Sequence, residues 1–343
     1  MKKIWLYSVR SYVSIGMFFY FKRIDVFGFE NIPKDKPVLF LGNHQNALLD
    51  PLLIAIKCGR FSFFLTRAGV FKKPLVSKLL KSLQMLPVYR IRDGWNNITN
   101  NRAIFEACTG LFKNNEAVVI FPEGSHNLVR RVRPLSKGFT RIVFDTLEKY
   151  PELDIQLIPV GLNFMNTTSF PDSTTIYFGS PISSRAFVSE NRNKDVVKLK
   201  KRIKDELSSL TTNIPEKNYN EILNRLNELQ VDYLKPKAVN ACIESNFVNC
   251  SETTKPSNKF LKLFFRNLLI LNILVPFLLW KYVFKPKINE LEFMATFRFA
   301  IAITLVPIYL LIVIVILSIT ISMLVGFYYF LIVLLIALLA VKL

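Results

Sequence analysis

Between Asp25 and Ser184, short apolar runs alternate with stretches whose apolar residues recur at helical spacing. Residues 38–41, 61–65, 117–121, 155–160 and 175–178 read as strands, several of them apolar on both faces. The spacing predicts helices over 47–56, 75–83, 97–113 and 137–149. Alternation of this kind predicts an α/β domain over residues 25–190, with a mostly parallel central sheet and flanking helices. In such a domain, reactive side chains are expected where strands end and helices begin.

The pattern then changes. Val196, Leu199, Ile203, Leu207 and Leu210 form one apolar face among many Lys and Glu, and a second amphipathic helix is expected over 219–234. Residues 191–258 are read as a helical connector, punctuated by Pro215 and Pro236. From Phe299 to Val341 there are 43 consecutive residues without a charge. As one helix they would run about 64 Å, twice the hydrocarbon thickness of a bilayer, so 295–343 is read as a transmembrane hairpin of two spans. The reversal is expected between Ser318 and Gly326, and Arg298 and Lys342 place both ends on the cytoplasmic side. A buried hairpin within a soluble domain would need an equally large apolar partner elsewhere.

Two further segments belong to the same picture. Residues 267–280 are apolar for 14 positions between Arg266 and Lys281, within a basic and aromatic segment spanning 259–287. That length is short for a span and fits a re-entrant or interfacial helix, or an amphipathic helix packed on the domain. The N-terminal 1–24 has no small-residue cleavage site before Lys22 and Arg23, and is read as an uncleaved helix that lies on the membrane.

Composition sharpens this. The 343 residues carry 45 Lys plus Arg against 25 Asp plus Glu, a net charge of +20, yet 51% are hydrophobic. A disordered basic protein would lack the apolar residues, and the uncharged hairpin argues against a nucleic-acid partner. Residues 57–92 hold nine Lys or Arg and no acid, a one-sign surface suited to an anionic lipid bilayer. Cys58, Cys108, Cys242 and Cys250 form no close ligand pair and no disulfide framework is expected of them, which fits a reducing compartment.

The chain has only two histidines. His44 follows a strand in Gly42-Asn43-His44-Gln45-Asn46-Ala47-Leu48-Leu49-Asp50-Pro51. A neutral imidazole there can act as a general base, and Asp50 can orient it and stabilise its charged form. Six helical positions rotate about 240°, so His44 must sit in a turn before regular helix begins. By itself such a pair is more often structural than catalytic. The second segment is Phe121-Pro122-Glu123-Gly124-Ser125-His126-Asn127, again after a strand, with Arg130, Arg131, Arg133, Lys137 and Arg141 behind it. Gly124 permits close backbone approach to a ligand, and amides there can hold an anion. The plain alternative is a tight turn before a solvated basic face. A third feature is Arg90 at the end of Pro87-Val88-Tyr89-Arg90, where a guanidinium could grip a phosphate.

Together these segments resemble the phospholipid/glycerol acyltransferase family, which includes glycerol-3-phosphate and lysophosphatidate acyltransferases. The likeness runs from Gly28 to Ile182: Gly28-Phe29-Glu30-Asn31-Ile32-Pro33 as a lead-in, Asn43-His44 with Asp50, Phe71-Lys72-Lys73-Pro74 through Arg90, Phe121-Pro122-Glu123-Gly124, and Ile158-Pro159-Val160-Gly161. Two departures stand out. Five residues separate His44 from Asp50 where the family usually has four, and Ser125-His126-Asn127 follows Gly124 where Thr-Arg or Thr-Ser is common. Both are similar to the branch that includes the fungal glycerol-3-phosphate acyltransferases.

The resemblance implies an O-acyltransferase of phospholipid biosynthesis. His44 would abstract the proton of an acceptor hydroxyl while Asp50 steadies the imidazolium. Asn43, Arg90, Glu123, Gly124, Ser125, His126, Arg130 and Arg131 would bind substrate, with Glu123 contacting acceptor hydroxyls or orienting a basic residue. The expected acceptor is glycerol-3-phosphate or 1-acylglycerol-3-phosphate, and the donor acyl-CoA or acyl carrier protein. No cofactor is expected, and no metal, because the histidines lie far apart in sequence. The enzyme would be a multi-pass membrane protein with its catalytic domain on the cytoplasmic face. Rival readings are another lysolipid acceptor such as an amino-acid lipid, a hydrolase using the same His44, or a non-enzymatic basic membrane protein. A channel is disfavoured because the hairpin carries no ionisable residue.

Overall fold

The computed structural model describes residues 1–89, 101–248, 250 and 259–343. Its centre is a sheet of β1 (Phe21–Phe27), β2 (Val38–Gly42), β3 (Ser62–Arg67), β4 (Met85–Val88), β5 (Ala117–Ile120), β6 (Gln156–Phe164), β7 (Asp172–Phe178) and β8 (Ile182–Ser183). The order is β1-β7-β6-β2-β5-β3-β4, with β8 beside β6. Pairing is parallel except that β7 and β8 run antiparallel to β6.

Burial on both faces explains why the central strands are so apolar. Every residue of β2 and β6 is buried. Side chains alternate across the sheet, so neighbouring residues of β2 enter different cores. Val38 and Phe40 pack with Met17 of α1 (Lys2–Tyr20) and with Leu53 and Ile54 of α2 (Leu49–Lys57). The helix α3 (Pro74–Ser82) follows β3. Leu39 and Leu41 pack with Phe112 of α4 (Asn101–Lys113), Phe139 and Ile142 of α5 (Gly138–Lys149), and Ile203 of α6 (Arg192–Leu210). Each such side chain contributes about 1.5–3 kcal/mol by leaving water. The predicted apolar face of α6 is the buried one, and Asn191 caps its first turn by accepting from the Lys194 amide at 3.1 Å.

The structure corrects the sequence reading in several places. The helix α1 ends at Tyr20, and Phe21–Phe27, expected to begin as membrane helix, joins the sheet beside β7. The strand FKRIDVF was not legible because it lies at the sheet edge, where charge is tolerated. The helix predicted over 219–234 is only α7 (Tyr219–Glu228), since Gln230 turns with φ 48°, and α8 (Pro236–Glu244) follows. These helices bury Leu226, Val239 and Cys242 in a small separate core. Cys242 is disulfide-bonded to Cys250, eight residues on, contrary to the expectation of free thiols, while Cys58 and Cys108 are free and buried.

At the C-terminal end, 267–280 has the broken geometry of a re-entrant loop or a bent span, the first being one of the alternatives expected of it. It is split between α9 (Lys259–Asn272) and a helical segment starting with α10 (Leu274–Leu278), and the two halves bend by 100°. The hairpin is α11 (Met294–Thr320) and α12 (Met323–Lys342), with Ser322 capping α12 through the Val325 amide. The reversal therefore falls within the predicted window. Among the described residues two helices, Leu291–Thr320 and Met323–Lys342, are long and apolar enough to cross a bilayer, and the bent pair would make a third if it is one span. Both ends of the hairpin touch the domain: Arg298 donates to the Thr168 carbonyl at 3.0 Å, and Lys342 to the Phe21 carbonyl at 2.8 Å. Ala295 and Phe299 of α11 are buried in the same core as Val38 and Leu53, so the hairpin is rooted in the sheet domain.

Candidate active site

Strand register brings the two motif segments together. Leu41 of β2 pairs with Ile120 of β5 in a parallel ladder, so His44 and Glu123 each lie three residues beyond the same rung. Both chains leave the sheet at its carboxyl edge. The segments are tied: the Asn127 amide donates to the His44 carbonyl at 3.0 Å, and the Gln45 side-chain amide to the Val129 carbonyl at 3.2 Å.

His44 occupies a turn ahead of α2, as the helical geometry required. Its Nδ1 lies 2.8 Å from Asp50 Oδ2, which also accepts the Asn46 amide at 2.7 Å. When Asp50 is ionised it can only accept, so Nδ1 then carries the proton and Nε2 is left as the basic nitrogen. Asp50 is completely buried. Burial pushes its carboxyl well above the usual range, and the backbone amides of Asn46 and Gln45 oppose that shift. The charged carboxylate is therefore favoured most when the imidazole beside it is protonated.

Phe121 stacks on His44 with ring centroids 4.1 Å apart and planes at 19°. This leaves one imidazole face dry. Gly42 makes the stack possible, because a Cβ there would stand 2.9 Å from the Phe121 ring. Asn43 is 4% exposed, and its amide is committed to the scaffold. It donates to the Leu162 carbonyl at 3.0 Å and accepts the Leu162 amide at 2.7 Å, extending the β2–β6 pairing by one rung. Asn43 thus fixes the turn.

Glu123 Oε2 accepts from Arg133 Nε at 2.6 Å. The same guanidinium donates to Ser125 Oγ at 2.8 Å and to the Ser125 carbonyl. Glu123 is thus paired with the guanidinium of Arg133. Burial raises Glu123 from 4.5 to about 7 despite the guanidinium beside it. Gly124 adopts φ 74° in this turn, with nothing within 4 Å of where a Cβ would be, so the backbone is open to a ligand.

The two arginines singled out in the sequence point elsewhere. Arg130 donates to the carbonyls of Phe164 and Met165 at 2.9 and 2.8 Å, and its guanidinium lies 3.6 Å from the Tyr233 ring centre. Arg131 pairs with Glu216 at 2.9 Å. Arg90 lies outside the described residues, as do 97–100 of the predicted helix and 251–258 of the connector.

His126 packs edge-on against His44, with centroids 5.6 Å apart, and against Phe293 at 4.7 Å. The sequence had set the histidines far apart, and folding brings them together. His126, Glu290 and Glu292 each offer one ligand atom, all within 4.8 Å of one another, so this group could hold a metal ion. Phe293 and the glutamates were missed because nothing in their local sequence marks them.

The family model described as Acyltransferase matches residues 23–163. The chain is 26% identical over 161 residues to a chloroplastic 1-acyl-sn-glycerol-3-phosphate acyltransferase, BAT2, of Brassica napus, covering 47% of this chain and 44% of that one. It is 26% identical over 202 residues to a 1-acyl-sn-glycerol-3-phosphate acyltransferase of Borreliella burgdorferi, covering 59% and 74% respectively. Among solved structures, the 1-acyl-sn-glycerophosphate acyltransferase PlsC of Thermotoga maritima matches with a TM-score of 0.44 and 21% identity, over 60% of this chain and 80% of that one. The chain spans less than half the length of the Brassica napus relative.

Proposed function

We propose that this chain, whose residues 23–163 match the acyltransferase family model, transfers a fatty acyl group from an acyl thioester to a hydroxyl of glycerol-3-phosphate or 1-acylglycerol-3-phosphate. The observation that carries this reading is the buried His44–Asp50 pair, 2.8 Å apart, at the sheet edge that also holds Glu123 and Arg133.

His44 Nε2 takes the acceptor hydroxyl proton as that oxygen attacks the thioester carbonyl. The carbon–sulfur bond then breaks, and the imidazolium returns its proton to the leaving thiolate. Asp50 stabilises the imidazolium between these steps. The acceptor phosphate is assigned to Arg133, whose guanidinium is held by Glu123 and Ser125 beside the open backbone at Gly124. The donor is acyl-CoA or acyl carrier protein, and no cofactor takes part. The hairpin holds the domain at the cytoplasmic face of an anionic bilayer, which the attachment of both hairpin ends to one domain supports. Labelling of Lys342→Cys from either side tests that orientation.

A second reading is favoured by Glu290 and Glu292 beside His126, which suit an amine-bearing lysolipid acceptor. Purified protein in phospholipid nanodiscs, given each thioester donor with each acceptor in turn, separates the two. The first reading expects transfer to the phosphate acceptors, and a rise of about tenfold in acceptor KM in Arg133→Ala from loss of a charge-assisted contact. Transfer only to amine-bearing lysolipids selects the second. Thiol release that needs no acceptor marks a hydrolase and overturns both.

A further inference from the structure

The family match ends at residue 163, yet the root of the hairpin reaches the turn that carries the reacting pair. Thr296, in the first turns of α11, accepts the Leu48 amide on its Oγ1 at 3.0 Å. Leu48 lies between His44 and Asp50, immediately before α2, where an amide has no carbonyl from an earlier helical turn to bond. Three residues before Thr296 and two after it, its neighbours grip the same region. Phe293 packs on His126, which packs on His44. Arg298 donates to the Thr168 carbonyl at 3.0 Å, the Ser169 carbonyl at 2.5 Å and the Tyr20 hydroxyl at 2.9 Å. Ala295 and Phe299, on either side of Thr296, are 2% and 0% exposed, so the hydroxyl is delivered by a fixed backbone.

We propose that Thr296 is a positioning residue for the His44–Asp50 pair, and that the membrane hairpin is thereby part of the active site as well as an anchor. The turn from Asn43 to Leu48 is held at its start by the Asn43 amide on β6 and at its end by the Thr296 hydroxyl. Asp50 sits two residues past that second attachment, in the first turn of α2. Without the acceptor, the Leu48 amide is left to find another partner, and the start of α2 shifts relative to His44. Displacements on the scale of an ångström are enough to cost a reaction two orders of magnitude.

The catalytic half of this inference rests on the acyl-transfer reading, and the experiment separates the two. Full-length protein in phospholipid nanodiscs is compared as wild type, Thr296→Val, Thr296→Ser and His44→Ala. Valine keeps the shape and removes the acceptor, while serine keeps the hydroxyl. The expected result is a fall in kcat of about tenfold to a hundredfold in Thr296→Val with both KM values unchanged, and recovery to within about threefold in Thr296→Ser. A second readout is independent of activity. Amide hydrogen exchange in the 45–52 peptide should accelerate in Thr296→Val, and the low-field proton signal of His44 Nδ1 should be lost or moved, with serine restoring both. Wild-type kcat and unchanged exchange in Thr296→Val would overturn the proposal, as would a Thr296→Ser variant no better than valine. If wild type transfers acyl groups to no acceptor, the functional reading fails, while the exchange and proton signals still decide whether Thr296 holds the turn.

Discussion

Asp50→Asn should remove most of the activity while leaving the fold standing. Asp50 Oδ2 serves two donors, His44 Nδ1 at 2.8 Å and the Asn46 amide at 2.7 Å. An asparagine carbonyl oxygen can replace it at both, so the turn survives. The new NH2 group would lie where Oδ1 is buried without a hydrogen-bond partner, which costs about 1–3 kcal/mol of stability. What asparagine cannot replace is the negative charge next to the imidazolium that the proposed transfer forms. Two opposite charges about 4 Å apart at an effective dielectric of about 20 attract by about 4 kcal/mol. At about 1.4 kcal/mol per decade, that predicts a loss of roughly a thousandfold in kcat. The assay is thiol release and acyl-lipid formation by purified protein in nanodiscs, with thermal unfolding in parallel. Since Asp50 acts through His44, the double variant His44→Ala/Asp50→Asn should be no slower than His44→Ala alone. A single Asp50→Asn variant within tenfold of wild type would refute the reasoning, and so would losses that multiply in the double variant.

Further outcomes follow from the same geometry. Because burial raises Glu123 to about 7, its protonated form is favoured in the fold, so its contribution to stability is full below about pH 4.5 and is lost as the pH rises through 7. Glu123→Gln should therefore show a flatter decline in melting temperature between pH 5 and 7.5 than wild type, and parallel declines would contradict this. The Cys242–Cys250 bond closes a loop with a sequence separation of eight, worth about 2.5 kcal/mol in the chain-entropy account. Cys250→Ser should thus loosen the α7–α8 region in hydrogen exchange and leave kcat unchanged. A fall in kcat would mean that this region supports the site after all.

What the sequence revealed depended on how locally each feature is determined. The central strands were legible because a strand covered on both faces must be apolar throughout, as Val38-Leu39-Phe40-Leu41 is. The edge strand Phe21–Phe27 carries Lys22, Arg23 and Asp25, so it read as a boundary. His44 and Asp50 were legible as a pair, and helix geometry alone placed His44 in the turn. The choice among Arg130, Arg131 and Arg133 was not legible. All stand in one basic stretch, and only the path of the loop gives Arg130 to the Phe164 and Met165 carbonyls and Arg133 to Glu123. Thr296 carries no local signal, since the Leu48 amide it holds is 248 residues away.

The central claim is that His44 is the base of an acyl transfer from thioester to a glycerol phosphate hydroxyl. It is tested most directly by supplying wild type and His44→Ala, in nanodiscs, with labelled acyl thioester and with glycerol-3-phosphate or 1-acylglycerol-3-phosphate. The account predicts acceptor-dependent formation of acylated product by wild type, and a loss of at least a hundredfold in His44→Ala at unchanged melting temperature. Product formation undiminished in His44→Ala, or no acceptor-dependent product from wild type, would contradict it.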